Sequence, residues 1–263
     1  MINLLIKIGS KVESIFNTHS LEGLAFKFLN SRVTHVLHND IRIVFHTPNW
    51  ITRYRAKTFS SKEPETLKWI DGFKENSVFW DIGANVGLYS LYAAKLGSNV
   101  VCFEPSVFNL EMLAKNIFIN NVAERIAIFP LPLSDKIYSS RFNMVNPTHG
   151  SALSTFRESY GYDGSDMNAN FFFNTYSISL DKVRETFDLT YPDYIKLDVD
   201  GIEHLILSGA SNVLSKAKQI LVEVSPKFAK QERECFECLA NSGFKINSIT
   251  GDRVSTQNVI FSK

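Results

Sequence analysis

The sequence predicts an α/β fold built on a Rossmann-like, doubly wound, seven-stranded sheet, with an N-terminal helical and β extension and a mid-chain insertion. Three observations predict it. The apolar run Val78-Phe79-Trp80 ends in Asp81, a tight glycine loop follows, and an apolar-periodic segment opens, which reads as strand, turn, helix. A second run, Asn99 to Phe103, ends in Glu104-Pro105, about twenty residues past the loop, the distance at which a βαβ unit delivers a carboxylate to a ribose. Short apolar runs then alternate with helical patterns almost to the C-terminus.

Two regions are expected, an extension over residues 1–60 and a main domain over 61–263, with the insertion at 139–180. Residues 2–30 carry apolar positions 5, 8, 12, 15, 16, 21, 24 and 28, a helical stripe. Residues 33–47 alternate as two short strands around the turn His38-Asn39-Asp40. Residues 63–74 read as a helix with Pro64 in its first turn. The core follows as strand 78–82, helix 87–96, strand 99–104, helix 106–120 and strand 126–131, then the loop Pro132-Leu133-Ser134-Asp135. Within the insertion, Arg141 to Val145 and Ser177 to Leu180 read as strands. The aperiodic, polar and aromatic stretch between them reads as an acceptor-site loop or lid. Alternation resumes with strand 193–199, helix 202–215, strand 218–224 and helix 227–241. Runs 244–249 and 256–262 follow, with a Gly251-Asp252 turn between them.

The bulk numbers fit an ordinary globular chain of 263 residues, with 44% hydrophobic and 21% charged residues. The formal net charge is +1, which implies no polyanionic partner for the chain as a whole. Charge is nevertheless uneven: residues 1–60 hold eight Lys/Arg against three acids. A solvated helix face explains that, and so does an anionic surface or substrate. No apolar run reaches the roughly twenty residues of a membrane helix, and no cleavage signal stands out. The expectation is a cytoplasmic protein, with peripheral membrane contact or a homodimer through the N-terminal segment as the open alternatives. Cys102 falls in a core strand, and Cys235 and Cys238 fall on a helical pattern with no second pair, so zinc or redox chemistry is not expected.

The loop is D-x-G-x-x-x-G, Asp81 to Gly87, and lacks the G-x-G-x-x-G triplet that seats a pyrophosphate on a helix end. An acid on the first strand repels phosphate and suits a cation, such as the ammonium group of S-adenosylmethionine. Gly83 and Gly87 supply positive φ or close approach. Asp81, Gly83, Asn85, Gly87, Glu104, Pro105, Asn109 and Ser134 are the expected cofactor-binding residues, with Ser134 placed to meet the adenine.

These stretches resemble the FkbM-type methyltransferases, a family of S-adenosylmethionine-dependent enzymes with the class I methyltransferase fold. The resemblance extends through Phe103-Glu104-Pro105 with Asn109 and Asn116, Ile195 to Glu203 and Ile220 to Val224. It also takes in Arg53 to Phe59 and Glu63 to Thr66, so it covers about residues 50–263. It implies that runs 244–249 and 256–262 are the closing antiparallel pair, and that the reaction is O-methylation, most often of a sugar or polyketide hydroxyl.

In strand 193–199, Lys196, Asp198 and Asp200 share one side by alternation, and Glu223 ends the neighbouring strand. Methyl transfer to a hydroxyl needs alignment and removal of a proton. Asp198 is the first candidate for general base, Lys196 would orient it, and Glu223 and His149 complete the catalytic candidates. A divalent metal on Asp198, Asp200 or Glu203 is open but not favoured. Asp200-Gly201-Ile202-Glu203 also matches a capping box for helix 202–215. The acceptor is read as a sugar hydroxyl of a glycan, polysaccharide or lipid-linked saccharide. A small non-sugar metabolite or an inactive binding subunit remains as the alternative. Nucleic acid is disfavoured by the near-neutral charge and by the lack of an Asn/Asp-Pro-Pro-aromatic motif.

Overall fold

The structure, a computed structural model, describes residues 21–251 and 256–263. The first two-thirds of the N-terminal amphipathic stretch, with its expected membrane or dimer role, and Asp252 of the expected Gly251-Asp252 turn therefore lie outside the described residues. The chain runs α1 (Leu21–Asn30), β1 (Val33–His38), β2 (Ile41–His46), α2 (Trp50–Lys57), α3 (Phe59–Lys62), α4 (Pro64–Asp71), β3 (Val78–Ile82), α5 (Leu88–Lys95), β4 (Asn99–Phe103), α6 (Val107–Ile119) and β5 (Ile126–Phe129). The insertion contributes β6 (Ser139–Met144), β7 (Ser154–Phe156) and β8 (Phe171–Tyr176). Then come α7 (Leu180–Thr186), β9 (Tyr194–Leu197), α8 (Glu203–Ser208), α9 (Ser211–Lys216), β10 (Gln219–Val224), α10 (Ala229–Asn241), β11 (Lys245–Gly251) and β12 (Gln257–Ser262).

Seven strands form the main sheet in the order β11-β12-β10-β9-β3-β4-β5. The five from β5 to β10 are parallel, and β12 pairs antiparallel with both β10 and β11. The chain builds outward from β3 to β5, then returns to lay β9 on the other side of β3. Ligands bind at such a switch point, beyond the carboxyl ends of the central strands.

Side-chain alternation feeds two apolar layers. Trp80, Ile82, Ile195, Leu197, Ile220 and Val222 pack under Val183, Ile206, Leu214 and Leu239. On the other face Phe79, Val100, Cys102, Tyr194 and Leu221 meet Leu91, Leu113, Leu67 and Trp69, together with Ile43 and Phe45 of the hairpin and Phe59 of the N-terminal helices. The hairpin turn has Asn39 and Asp40 both at positive φ, as a two-residue turn that follows strand twist requires.

Four expectations change. The stretch read as an aperiodic loop between the two insertion strands carries β7 and β8, which pair antiparallel with β6 on either side as a three-stranded sheet. Residues 177–180 are not a strand: β8 ends at Tyr176, and Ser179 caps α7 by accepting from the Lys182 amide. Helix 202–215 is two helices. Gly209 is crowded against Asp135, where a Cβ would lie 2.6 Å from a carbonyl oxygen, and the Asp181 carboxylate accepts from the Asn212 and Val213 amides at the new helix start (3.0 and 2.9 Å). Helices α2 and α3 have no counterpart in the sequence reading.

Asn116 ties the hairpin to the glycine loop. Its amide donates to the Val86 carbonyl (2.8 Å), and its oxygen accepts from the His46 amide (2.7 Å), in a fully buried position. Asn116→Ala orphans both groups, so it is expected to lower the unfolding free energy by about 1–3 kcal/mol. Urea titration measures this; an unchanged midpoint would contradict the bridging role.

Candidate active site

Positive φ at Gly83 (87°) and Gly87 (86°) forms the loop after β3. Gly83 lies against the end of β9, where a Cβ would fall 1.9 Å from the Asp198 carbonyl oxygen. Gly87 lies against Leu113 of α6, 2.6 Å from a would-be Cβ. The loop therefore hugs both neighbouring elements and leaves a cleft of about 1200 Å³, its open mouth included, at the carboxyl ends of β3, β4 and β9. Gly83, Asn85, Glu104, Pro105, Asn109, Lys196, Asp198 and Glu223 line it, so these expected site residues are brought together.

Glu104 is almost fully buried, and its two oxygens accept from the Asn85 and Ser106 amides, 2.8 Å each. Burial lifts its carboxyl to about 7 against the pull of those amides. A carboxylate at the end of β4, fixed by the glycine loop yet facing the cleft, has lone pairs left for a pair of vicinal hydroxyls. Beside it, Ile82, Phe103, Leu131, Leu133, Phe142 and Phe156 form an apolar wall suited to a flat ring.

The opposite end is charged. Lys196 faces Asp81 across the β3–β9 register, and its Nζ lies 2.5 Å from the Asp198 carboxylate. Burial alone would push the ammonium down, yet the carboxylates of Asp198, Glu63 and Asp81 hold it above its ordinary range. Asp198 is opposed by burial but held below the ordinary carboxylate range by Lys196, with help from Lys62 and Arg55. About a quarter of its side chain still reaches the cleft. Glu223 accepts from the Thr256 hydroxyl (3.1 Å) and is lifted well above its ordinary range by burial and by the charges of Asp198 and Asp200. Tyr89, stacked near the Lys196 ammonium at 5.0 Å, is raised by burial and Glu63.

Several expected residues sit elsewhere. Asp81 is buried beneath the loop, where Ser90 donates to it, and its other oxygen has no partner; it supports Lys196 and does not line the cleft. Gly87 shapes the loop from behind. Ser134 is buried with its hydroxyl on Asp135 (3.0 Å), while Leu131, Pro132 and Leu133 supply the lining expected of it. His149 does not reach the cleft: its imidazole is 2.9 Å from Glu111 on the outer side of α6. Its backbone matters more, because the strap 148–154 is tied down from three sides. Asn49 donates to the His149 carbonyl (2.9 Å) and Arg55 to the Gly150 carbonyl (2.6 Å). Asn85 and Asn109 both donate to the Ser151 carbonyl (2.8 and 3.2 Å).

Asp200 does not cap a helix. It takes φ 61° and accepts from the Leu153 and Ser154 amides, so it anchors the strap. Glu203 does not complete the expected box either: it reaches back past the Asp200 amide to accept from the Val199 and Gly201 amides. Asp198, Asp200 and Glu203 thus have separate partners, and among the described residues no three His, Cys, Asp or Glu side chains converge as metal ligands. Arg55, Lys62, Glu63 and Tyr89 line the cleft without having been singled out as site residues. The Arg53–Phe59 and Glu63–Thr66 resemblance took in Arg55 and Glu63 without giving them roles, Tyr89 lies in the run that follows the glycine loop, and nothing in the sequence pointed to Lys62.

Two outcomes follow. Gly83→Ala adds a Cβ into a carbonyl at positive φ, so a loss of at least about 3 kcal/mol is expected by thermal melting; near-native stability would refute the close contact. Glu203 is lifted by burial from 4.5 to about 7, so the folded state holds that proton more tightly than the unfolded chain. Its contribution is full below 4.5 and is lost as pH rises through about 7. Glu203→Gln should therefore flatten the decline in stability over that window by as much as about 1.4 kcal/mol per pH unit, and parallel curves for variant and wild type would refute it.

The methyltransferase FkbM domain model matches residues 81–246. The hexuronic acid methyltransferase AglP of Haloferax volcanii is 27% identical over 152 residues, and the match spans 57% of this chain and 57% of that relative. Among solved structures, the methyltransferase FkbM of Methylobacillus flagellatus superposes with TM-score 0.49 and 16% identity over 91% of this chain and 58% of its own. Precorrin-6y C5,15-methyltransferase of Geobacter metallireducens gives 0.46 and 12%, over 76% and 86%. The family match starts at the acid of the glycine loop, takes in β4, the strap and the Lys196–Asp198 pair, and ends in β11, more than half of the sequence: the chain belongs to the FkbM methyltransferase family.

Proposed function

We propose that this methyltransferase uses S-adenosylmethionine and methylates a hydroxyl of a sugar, in a glycan, polysaccharide or lipid-linked saccharide. The observation that carries the cofactor reading is the buried Glu104 carboxylate, fixed by the Asn85 and Ser106 amides beside an apolar wall. The sugar reading draws on the similarity to the hexuronic acid methyltransferase of Haloferax volcanii and on polar strap residues at the cleft.

Glu104 would accept the ribose hydroxyls, and Pro105, Leu131 and Leu133 would bracket the adenine. When bound, S-adenosylmethionine supplies a methyl group activated by a sulfonium. The chain's task is then to bring an acceptor oxygen into line and take up its proton. Asp198 would accept the hydrogen bond of the acceptor hydroxyl and take up its proton, while the methyl–sulfur bond breaks to leave a neutral thioether and the methyl–oxygen bond forms. Lys196 fixes the Asp198 carboxylate in one orientation. Because that pairing lowers the basicity of Asp198, orientation is the larger part of its contribution, and the proton passes on to solvent. Asn85 and Asn109 hold the strap that walls the acceptor off from water.

Calorimetric titration with S-adenosylhomocysteine tests the cofactor half. Glu104→Ala should abolish binding that the wild-type protein shows; equal affinity in both would refute the ribose role. Asp198→Asn should leave S-adenosylhomocysteine affinity within about threefold while lowering kcat by about 100-fold or more. An unchanged kcat would remove Asp198 from the mechanism.

A further inference from the structure

Arg55 stands out among the charged groups of the cleft because no carboxylate of the described residues pairs with it directly. Lys196 is matched by Asp198 at 2.5 Å, and Lys62 is matched by Glu63 at 3.1 Å. No carboxylate of the described residues lies within 4.0 Å of the Arg55 guanidinium. Asp200, the other acid on this side, turns its carboxylate to the Leu153 and Ser154 amides.

The Arg55 side chain is also held in place. It lines the cleft from α2, and its Nε donates to the Gly150 carbonyl at 2.6 Å. Gly150 is itself positioned by Asn109, which accepts from the Gly150 amide at 2.9 Å, and by φ 79° with Thr52 and Ile51 packed against it. Using Nε on a backbone carbonyl leaves both Nη groups, which present a planar fork of donors. The charge of Arg55 is felt at Asp198 and Asp200, the acceptor end of the cleft. A half-buried guanidinium held by its Nε and with no carboxylate in contact can receive a carboxylate or phosphate bidentately through its Nη groups.

We propose that Arg55 is the specificity-determining residue for the acceptor, and that it binds an anionic group of an acidic sugar while a hydroxyl of the same sugar sits at Asp198. The inference rests on the sugar O-methyltransferase reading and narrows its substrate class. A uronic acid carboxylate and a sugar phosphate share the required chemistry. A neutral sugar leaves the half-buried Arg55 charge without a partner in the cleft, which disfavours it as the acceptor.

The test compares glucose, glucuronic acid and glucose 6-phosphate as acceptors, following S-adenosylhomocysteine release, for the wild-type protein, Arg55→Gln and Arg55→Lys. Cofactor-product affinity is measured alongside by calorimetry. The expected result is a preference of the wild-type protein for at least one acidic sugar over glucose. In Arg55→Gln that kcat/KM ratio collapses at least tenfold, through KM, with partial recovery in Arg55→Lys, while S-adenosylhomocysteine affinity is retained. Which acidic sugar is preferred separates the carboxylate from the phosphate. Equal or better use of glucose, transfer to none of the three, or a loss of S-adenosylhomocysteine affinity in Arg55→Gln that matches the loss of activity overturns the proposal. Failure of the wild-type protein to bind S-adenosylhomocysteine is a different result and overturns the cofactor reading beneath it.

Discussion

The contact between the Gly83 backbone and the Asp198 carbonyl is the constraint on which the site depends. Two parallel strands, β3 and β9, end side by side at the switch point, and their outgoing loops must diverge within a residue of each other. A Cβ at Gly83 would occupy the position of that carbonyl, so only glycine permits the approach. The approach places the loop carrying Asn85 and the turn carrying Asp198 along one edge of one cleft. Glu104 is added from β4 by the same parallel register, through Asn85.

Charge burial is the second organising feature. Lys196 is nearly inaccessible on the β3–β9 face, where an uncompensated ammonium would be strongly unfavourable. Asp81 across the register, Asp198 two residues on and Glu63 from the N-terminal helices compensate it together. This explains why the acid of the glycine loop is buried and does not line the cleft: it faces the Lys196 ammonium across the register. It also explains why Asp198 stays ionised and ordered while Glu223, without a cation of its own, is lifted.

The N-terminal helices and the insertion meet over this charged end. Asn49 and Arg55 from one side, Asn85 and Asn109 from another and Asp200 from a third hold residues 149–154 by their backbone groups. A strap fixed at its carbonyls and amides leaves its side chains free to vary. The charged end of the cleft can in this way be kept while the wall beside it changes.

The sequence by itself determined the sheet. Its apolar runs, glycine loop and terminal Glu104 follow from period, turn chemistry and spacing, which are local, and so they were legible without coordinates; the antiparallel pairing of the last two runs came from the family resemblance. Lys196 and Asp198 were legible too, because charges in a strand core stand out against their neighbours. The tertiary structure alone decided which polar residues face the cleft. Asp81, His149 and Ser134 have the right chemistry, but register and helix packing turn them toward Lys196, Glu111 and Asp135. Arg55 and Glu63 look like ordinary surface charges in the sequence and reach the site only because α2 and α3 fold across it. Which way a side chain faces at a strand end or in a strap depends on partners far apart in sequence: Asn85 and Ser151 are 66 residues apart, and Arg55 and Gly150 are 95. Local pattern carries no record of such pairings.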